Sequence, residues 1–365
     1  MAGSVLQGLV LTPTGLLPGR LHFSERIEAF EPAPVEGPYI LPGFLDLHVH
    51  GGAGRDAMEG EEAVRALARF HLAHGTTALL PTTVTALPED LLRALRGIRA
   101  AMDSPKRGEA RILGAHLEGP FLSPGRLGAQ PPFPREPDLE LMAAFLEAAP
   151  IRVVTLAPEL PGALDLVRFL AERGVRPQVG HTEASYEEAL LALEAGATGF
   201  THLYNAMPPL HHRHPGPVGL ALERGLWAEV IPDGLHVDPA MVRLALKCVP
   251  GLYFVTDAVA AAGMPDGLYP LGRHRVEKRG EGVWLGESLA GSALTLDQAL
   301  RNLVAWGVPL EEAARGLSTL PARYLGLEDL GEIAPGKRAD LVVLNEDLQV
   351  LEVYLGGERV PTGAG

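Results

Sequence analysis

Cysteine occurs once in this chain, as Cys248, so no intrachain disulfide can form. That absence fits a reducing compartment, and a cytoplasmic location is the expectation. Lysine is scarce: Lys106, Lys247, Lys278 and Lys337 are the full set, and arginine supplies the rest of the positive charge. No basic segment leads into an apolar stretch at the N-terminus, and the apolar runs are short and interrupted. Neither a signal peptide nor a membrane-spanning helix is expected. Positive charge is outweighed overall, with 31 Lys and Arg against 45 Asp and Glu for a formal net charge of −14. Such a field disfavours broad binding to nucleic acid or anionic membranes, so an anionic ligand needs local groups to hold it.

What remains is enough for a large core. Of 365 residues, 47% are hydrophobic and 21% charged, which suits one large domain plus a small one. SVLQGLVLT and GLLPGRLHF near the N-terminus, and ADLVVLN and LEVYLGGERV near the C-terminus, alternate with a period near two. Both ends are therefore expected to meet in a small β-sandwich domain, residues 1–41 and 333–365. Between them, strand-like runs such as ILPGFLDLHVH, RILGAHLEG and LYFVTDA alternate with Ala/Leu/Glu/Arg-rich helical segments. The spacing of about thirty residues is that of a βαβ unit. Eight such units predict an α/β fold, a (β/α)8 TIM-like barrel over residues 42–332. An open doubly wound sheet is the alternative.

The imidazoles and carboxylates fall at the ends of those strands. His48 and His50, two apart, share a face at the end of the first. Glu118 ends the third, His181 the fifth, His202 the sixth and Asp257 the eighth, while His236 follows the seventh. A barrel gathers all these ends on one rim, where barrel enzymes carry their active sites. The donor set suits zinc, iron or another first-row divalent ion, one or two per subunit. A bound divalent ion makes hydroxide available near neutral pH. Asp257 is the candidate general base and acid that moves the proton to a leaving amine. None of the four lysines lies at a strand end. Whether His48 and His50 hold a second metal or line a mononuclear site stays open.

Other residues carry weaker signals. His71 and His74 on the first helix are expected at its surface or end, His22 in the small domain, and His116 in the core. The run His211, His212, Arg213, His214 is either a solvated loop or an anion-binding one. GGAG after His50 lacks the Gly-Lys-Ser/Thr ending of a phosphate loop and is read as a mobile loop over the site.

Taken together, PGFLDLHVHG and GEIAPGKRADLVVL resemble the amidohydrolase superfamily. HLEGPF, LAPE, GHTEA, THLYNAM, DGLH, TDAVAAAG and LAGSALTLDQA are similar, more narrowly, to the N-acetylglucosamine-6-phosphate deacetylase family, from about Pro42 to Leu344. The resemblance implies hydrolysis of the N-acetyl amide of a sugar phosphate to the amine and acetate, in amino-sugar catabolism and recycling. It implies Glu118, His181 and His202 as ligands of the main metal and Asp257 as the acid/base. His236 corresponds to a substrate contact, and Asn205 and Ala206 to a segment whose backbone meets the phosphate. Arg213 corresponds to an arginine reaching the phosphate from the neighbouring subunit of a homodimer. Ala129, Gln130, Leu289, Ala290, Gly291 and Ser292 correspond to substrate-lining loops. Two other readings stand beside this one: another amidohydrolase, acting on a cyclic amide or an N-acyl amino acid, or a dimeric barrel that has lost catalysis. The second predicts gaps among the metal and acid/base positions, and there are none.

Overall fold

A single glycine separates the two sheets that share the first apolar run. The protein is described by a computed structural model covering residues 3–361. In it the stretch expected as one strand over residues 40–50 is two strands in different sheets: Tyr39–Pro42 and Phe44–Val49. Gly43 lies between them, where a Cβ would sit 2.2 Å from Oγ1 of Thr77, so only glycine permits the close approach. Residues 1, 2 and 362–365, assigned from the sequence to the small domain, lie outside the described residues.

The small domain is built from both ends of the chain. Its seven strands hydrogen-bond along one path, from Glu358–Val360 through Val350–Leu355, Leu341–Leu344, Tyr39–Pro42, Ser4–Thr12 and Gly15–Phe23 to Ile27–Pro32. Tyr39–Pro42 is the seam, parallel to the N-terminal strand and antiparallel to Leu341–Leu344. Alternation along these strands turns Val10, Leu21, Phe23, Ile40 and Leu341 into a core distinct from the barrel's.

Eight parallel strands form the barrel: β1 (Phe44–Val49), β2 (Thr76–Thr83), β3 (Ala115–Glu118), β4 (Ile151–Leu156), β5 (Arg176–Val179), β6 (Gly199–Phe200), β7 (Trp227–Val230) and β8 (Leu252–Phe254). The circle closes just beyond β8. Val49 bridges Ala258 in parallel, and the amides of Asp257 and His50 donate to the carbonyls of His48 and Ala258, each at 2.8 Å. Every residue of β1 and β2 is buried, because helices cover one face and the barrel interior fills the other.

The intervening helices are α1 (Glu61–Ala73), α2 (Pro88–Asp103), α3 (Leu139–Ala148), α4 (Ala163–Ala171), α5 (Tyr186–Ala195), α6 (Gly216–Arg224), α7 (Pro239–Cys248) and α8 (Leu296–Ala305). Helix α1 buries Val64, Leu67, Ala68 and Leu72, one face of a 3.6-residue period. A reciprocal Ser185–Glu188 capping box starts α5 directly after the β5 loop.

One element breaks the alternation. Between β8 and α8 the chain makes a four-stranded antiparallel meander, Gly267–Leu271, His274–Arg279, Gly282–Leu285 and Ser288–Ser292. The stretch lies within residues 42–332, where the alternation of strands and helices predicts a plain barrel, and the meander departs from it. Its last strand runs back to the rim, where the amide of Ser292 donates to the carbonyl of Asp257 at 2.8 Å. Among the described residues, no helix is long and apolar enough to cross a membrane.

Candidate active site

The strand ends converge as the barrel requires, and the backbone there is unusual. His181, His202 and Asp257, each two or three residues past its strand, have φ of 46°, 29° and 49°. Non-glycine residues seldom adopt this left-handed region, and such conformations persist only where the surroundings enforce them. The turn after His202 continues in this way, with Ala206 at φ 52°.

The side chains form two adjoining donor clusters. In the first, Oε1 of Glu118 lies 3.2 Å from Nε2 of His181 and 3.1 Å from Nε2 of His202, and those two nitrogens are 3.1 Å apart. In the second, Oδ1 of Asp257 lies 3.1 Å from Nε2 of His50 and 3.4 Å from Nε2 of His48. Glu118 joins them, since its Oε2 is 3.2 Å from Nε2 of His50.

The far side of most of these rings is engaged. Nδ1 of His181 donates to the carbonyl of Arg126 at 2.7 Å, and Nδ1 of His50 to that of Thr82 at 3.1 Å. Nδ1 of His48 donates to a carboxylate oxygen of Glu229 at 2.6 Å. Each Nδ1–H is thereby committed outward, which turns Nε2 toward the carboxylates and leaves it as the ring atom that would bind a metal in place of a proton. That is the orientation a metal ligand needs, held by the kind of outer hydrogen bond that metal sites use. The donor set fits a divalent cation at Glu118, His181 and His202, and a second at His48, His50 and Asp257.

Electrostatics agree with that reading. Burial would drive the imidazole of His50 toward neutrality, but hydrogen bonds and charge from Asp257 and Glu118 outweigh it and raise its pKa to about 9. Burial likewise opposes ionisation of Glu118, yet the surrounding imidazoles, His48 foremost, hold its carboxyl well below the usual range. The same field that keeps imidazoles cationic is available to bind a metal cation.

A cavity of about 330 Å³ opens above these clusters. Its wall includes the site residues His50, Glu118, His181, His202 and Asp257, together with Ala129, Gln130, Asn205, Ala206, His236, Leu289 and Gly291. His48 lies beneath, fully buried. Ala290 and Ser292 are buried behind the wall, where Oγ of Ser292 donates to the carbonyl of Thr256 at 2.6 Å. At Gly291, with φ 60°, a Cβ would stand 2.8 Å from the carbonyl oxygen of Asp257, so the loop approaches the site only because this residue is glycine. Gln130 donates to Oε2 of Glu118 at 2.5 Å. His236 is held through Nδ1 by Asp233 at 2.7 Å. Arg213 is not among the residues that line the cavity of its own chain; it sits with His211, His212 and His214 in an exposed loop.

Three residues at the site escaped the sequence reading. Arg126, on the short turn Pro124–Arg126, is the single arginine or lysine among the lining residues. Asp233 holds His236, and its signal was available in DGLH. Glu229 is a carboxylate in the otherwise apolar strand WAEV, fully buried, and its presence there was the clue. Of the two alternatives for His71, the surface or the end of the first helix, the end holds: it lies in the last turn of α1, fully buried, with Nε2 donating to the carbonyl of Gly51 at 2.9 Å. One expectation is corrected. GGAG is not a loose loop: Gly51–Gly52 pairs with Arg55–Asp56, and the amide of Gly51 donates to the carbonyl of Ala258 at 2.9 Å. His116 is a buried core residue, its Nδ1 donating to the carbonyl of Leu47 at 3.0 Å.

Comparison with known proteins places this architecture. Residues 39–360 match the model of the Amidohydrolase family. The chain is 40% identical over 346 residues to an N-acetylgalactosamine-6-phosphate deacetylase of Escherichia coli O157:H7, covering 91% of this chain and 92% of that one. It is also 40% identical over 336 residues to an N-acetylglucosamine-6-phosphate deacetylase of Lysinibacillus sphaericus, covering 89% and 87%. Among solved structures, a mutant N-acetyl-D-glucosamine-6-phosphate deacetylase of Mycobacterium smegmatis, in complex with N-acetyl-D-glucosamine-6-phosphate, superposes with a TM-score of 0.93. It is 38% identical, covering 99% of this chain and all of that one.

Proposed function

The chain belongs to the amidohydrolase family, and we propose that within it the protein is a metal-dependent deacetylase of an N-acetylhexosamine 6-phosphate. N-acetylglucosamine 6-phosphate is the first substrate to consider, giving glucosamine 6-phosphate and acetate. The observation that carries this reading is Asp257 on the wall of a cavity whose floor is the Glu118–His181–His202 cluster. The relatives named above act on this substrate class, and their likeness runs over nearly the whole chain. The N-acetylgalactosamine 6-phosphate epimer is a second reading, because relatives named for each sugar match at 40% identity.

Glu118, His181 and His202 would hold the main metal, and His48, His50 and Asp257 would hold a second where one binds. Zinc or iron suits these nitrogen and oxygen donors. When bound, such an ion polarises the acetyl carbonyl and makes water a competent nucleophile near neutral pH. The carboxylate of Asp257 accepts a proton from the water as its oxygen bonds to the acetyl carbon. It then returns that proton to the nitrogen as the C–N bond breaks, so that the sugar leaves as an amine and the acyl group as acetate. His236, fixed by Asp233, presents its other ring edge to the sugar. The turn through Asn205 and Ala206, left-handed at Tyr204 and Ala206, offers backbone groups to the phosphate. Arg126 adds a cation from the same subunit, and Arg213 a bidentate-capable one from the partner of a homodimer.

Two readouts test the proposal: acetate release from the two N-acetylhexosamine 6-phosphates and from unphosphorylated N-acetylglucosamine, and ring opening of a cyclic imide. Turnover of a phosphorylated sugar far above the other two supports it. Equal rates with and without phosphate, or turnover of the cyclic imide alone, overturn it.

A further inference from the structure

We propose that Glu229 is a positioning residue that fixes the ring of His48 for metal binding, and so determines whether the second metal position can fill. The inference rests on the reading of His48 as a ligand in the preceding subsection. Glu229 lies on β7 with its side chain inside the barrel, fully buried. An isolated carboxylate there would be costly, so its partners define why it is tolerated.

Those partners tie two ligand-bearing strands together. One oxygen, Oε1, accepts from Nδ1 of His48 at 2.6 Å and from the backbone amide of His202 at 3.1 Å. The other, Oε2, accepts from the hydroxyl of Tyr253 at 3.3 Å. A carboxylate only accepts, so Nδ1 of His48 must carry a proton, and Nε2 is the ring atom left to bind a metal in place of its own proton. Nε2 faces Oδ1 of Asp257, 3.4 Å away, and Oε1 of Glu118, 3.5 Å away.

Glu229 is itself braced from below. Nε2 of Gln178 donates to the hydroxyl of Tyr253 at 2.7 Å, and its Oε1 accepts from Thr201 at 2.8 Å. Thr201 meets Thr155 at 2.7 Å, and Thr155 meets Nε2 of His116 at 2.8 Å. His116 closes the circuit on the carbonyl of Leu47, next to His48 in the chain. The barrel interior under the two donor clusters is thus a satisfied polar ring; His116 packs edge-on against His48, with ring centroids 4.6 Å apart, and Glu229 is the member that hydrogen-bonds its ring. Such networks hold their members in one geometry when every group is paired.

The test uses zinc as the probe on the full-length protein, with Glu229→Gln and Glu229→Met. The glutamine carbonyl can still accept from His48 and from the His202 amide; methionine cannot. Zinc per subunit and its affinity are measured by elemental analysis and competition with a chromophoric chelator. Nitrogen-15 spectra of histidine in the zinc-loaded protein report which ring nitrogen of His48 carries the proton. The expected result is two zinc ions per wild-type subunit and two for Glu229→Gln. For Glu229→Met, affinity at the second position should fall by about 10–100-fold, as for lost outer-shell partners of other metal sites, with the first zinc retained. A Met variant that binds both ions as tightly as wild type overturns the role of Glu229, as does a Gln variant that loses as much as Met. If Glu229→Met does not fold, a Gln variant that keeps both zinc ions and the Nδ1–H form of His48 upholds the role, and one that loses either overturns it. A wild type that takes up one zinc instead overturns the reading of His48 as a ligand.

Discussion

Nδ1 of His181 donates to the carbonyl oxygen of Arg126 at 2.7 Å, so one short turn orients an imidazole of the candidate metal site and carries a guanidinium to the cavity wall. The two roles use different atoms of Arg126, its backbone and its side chain, and mutation separates them.

Arg126→Ala keeps the carbonyl that His181 needs and removes the cation. The expected result is a rise in KM of about tenfold or more for the phosphorylated sugar, the scale of one charge-assisted hydrogen bond lost. KM for unphosphorylated N-acetylglucosamine and the metal content should stay close to wild type. Steady-state kinetics on both sugars check this, and an equal rise on both would remove Arg126 from phosphate recognition.

Arg213 is expected to act across a subunit boundary. Arg213→Ala and Asp257→Asn homodimers should each be nearly inactive at low substrate. Subunits of the two variants, mixed under conditions that allow exchange, should regain activity, because a hybrid dimer holds one site with Asp257 from one chain and Arg213 from the other. Activity that never exceeds the sum of the separate variants would place Arg213 outside the site.

Replacing Asp257 with asparagine preserves shape but removes the proton acceptor. A fall in kcat of about 10²–10⁴-fold is expected for the loss of a general base. The ion at Glu118, His181 and His202 should remain, as elemental analysis of the purified variant would show. An unchanged kcat would mean that another group moves the proton.

His71 makes stability depend on pH. Burial lowers its pKa from 6.5 to about 4, a hydrogen bond to the Gly51 carbonyl opposing only in part, and its Nδ1 has no partner. As pH falls from 6.5, the unfolded chain takes up a proton that the native ring refuses, and the native state loses stability until the folded ring titrates near 4. The loss is about 2 kcal/mol near pH 5, on the scale of about 1.4 kcal/mol per pKa unit. The drop in thermal midpoint between about pH 7.5 and about pH 5 should therefore be smaller in His71→Gln than in wild type. Equal drops in both proteins would exclude His71 as the source.

Metal removal is expected to abolish turnover and lower the thermal midpoint, since a ligand that binds only the native state stabilises it by mass action. Dialysis against a chelator followed by calorimetry measures the shift, and restoring zinc or iron should reverse it. A midpoint unmoved by stripping would argue that the clusters at Glu118 and Asp257 hold no metal.

How much was legible varies by element for physical reasons. Parallel barrel strands are buried on both faces, so they read as apolar runs, and residues such as Glu118 and Asp257 at their ends stand out against them. The meander after β8 went unread because its strands, four to six residues long, alternate only weakly and sit between Gly-containing turns. The burial of His71 at the end of α1 was not legible, because a helical period does not say which neighbour each face meets; in α1 that face meets the Gly51 carbonyl. Arg126 sits in a three-residue turn with no periodicity to interpret.

By itself the sequence determined the chemistry within reach: imidazoles and carboxylates spaced at strand ends, no strand-end lysine, one cysteine, and a net charge that makes any phosphate site local. Residue type and short-range spacing are properties of the chain alone. Tertiary structure alone decided that Glu229 holds His48 across 181 residues, that Arg126 shares a cavity with His236, and that Gly43 divides two sheets. These depend on which strands the barrel closure brings side by side, and no local pattern encodes that distance.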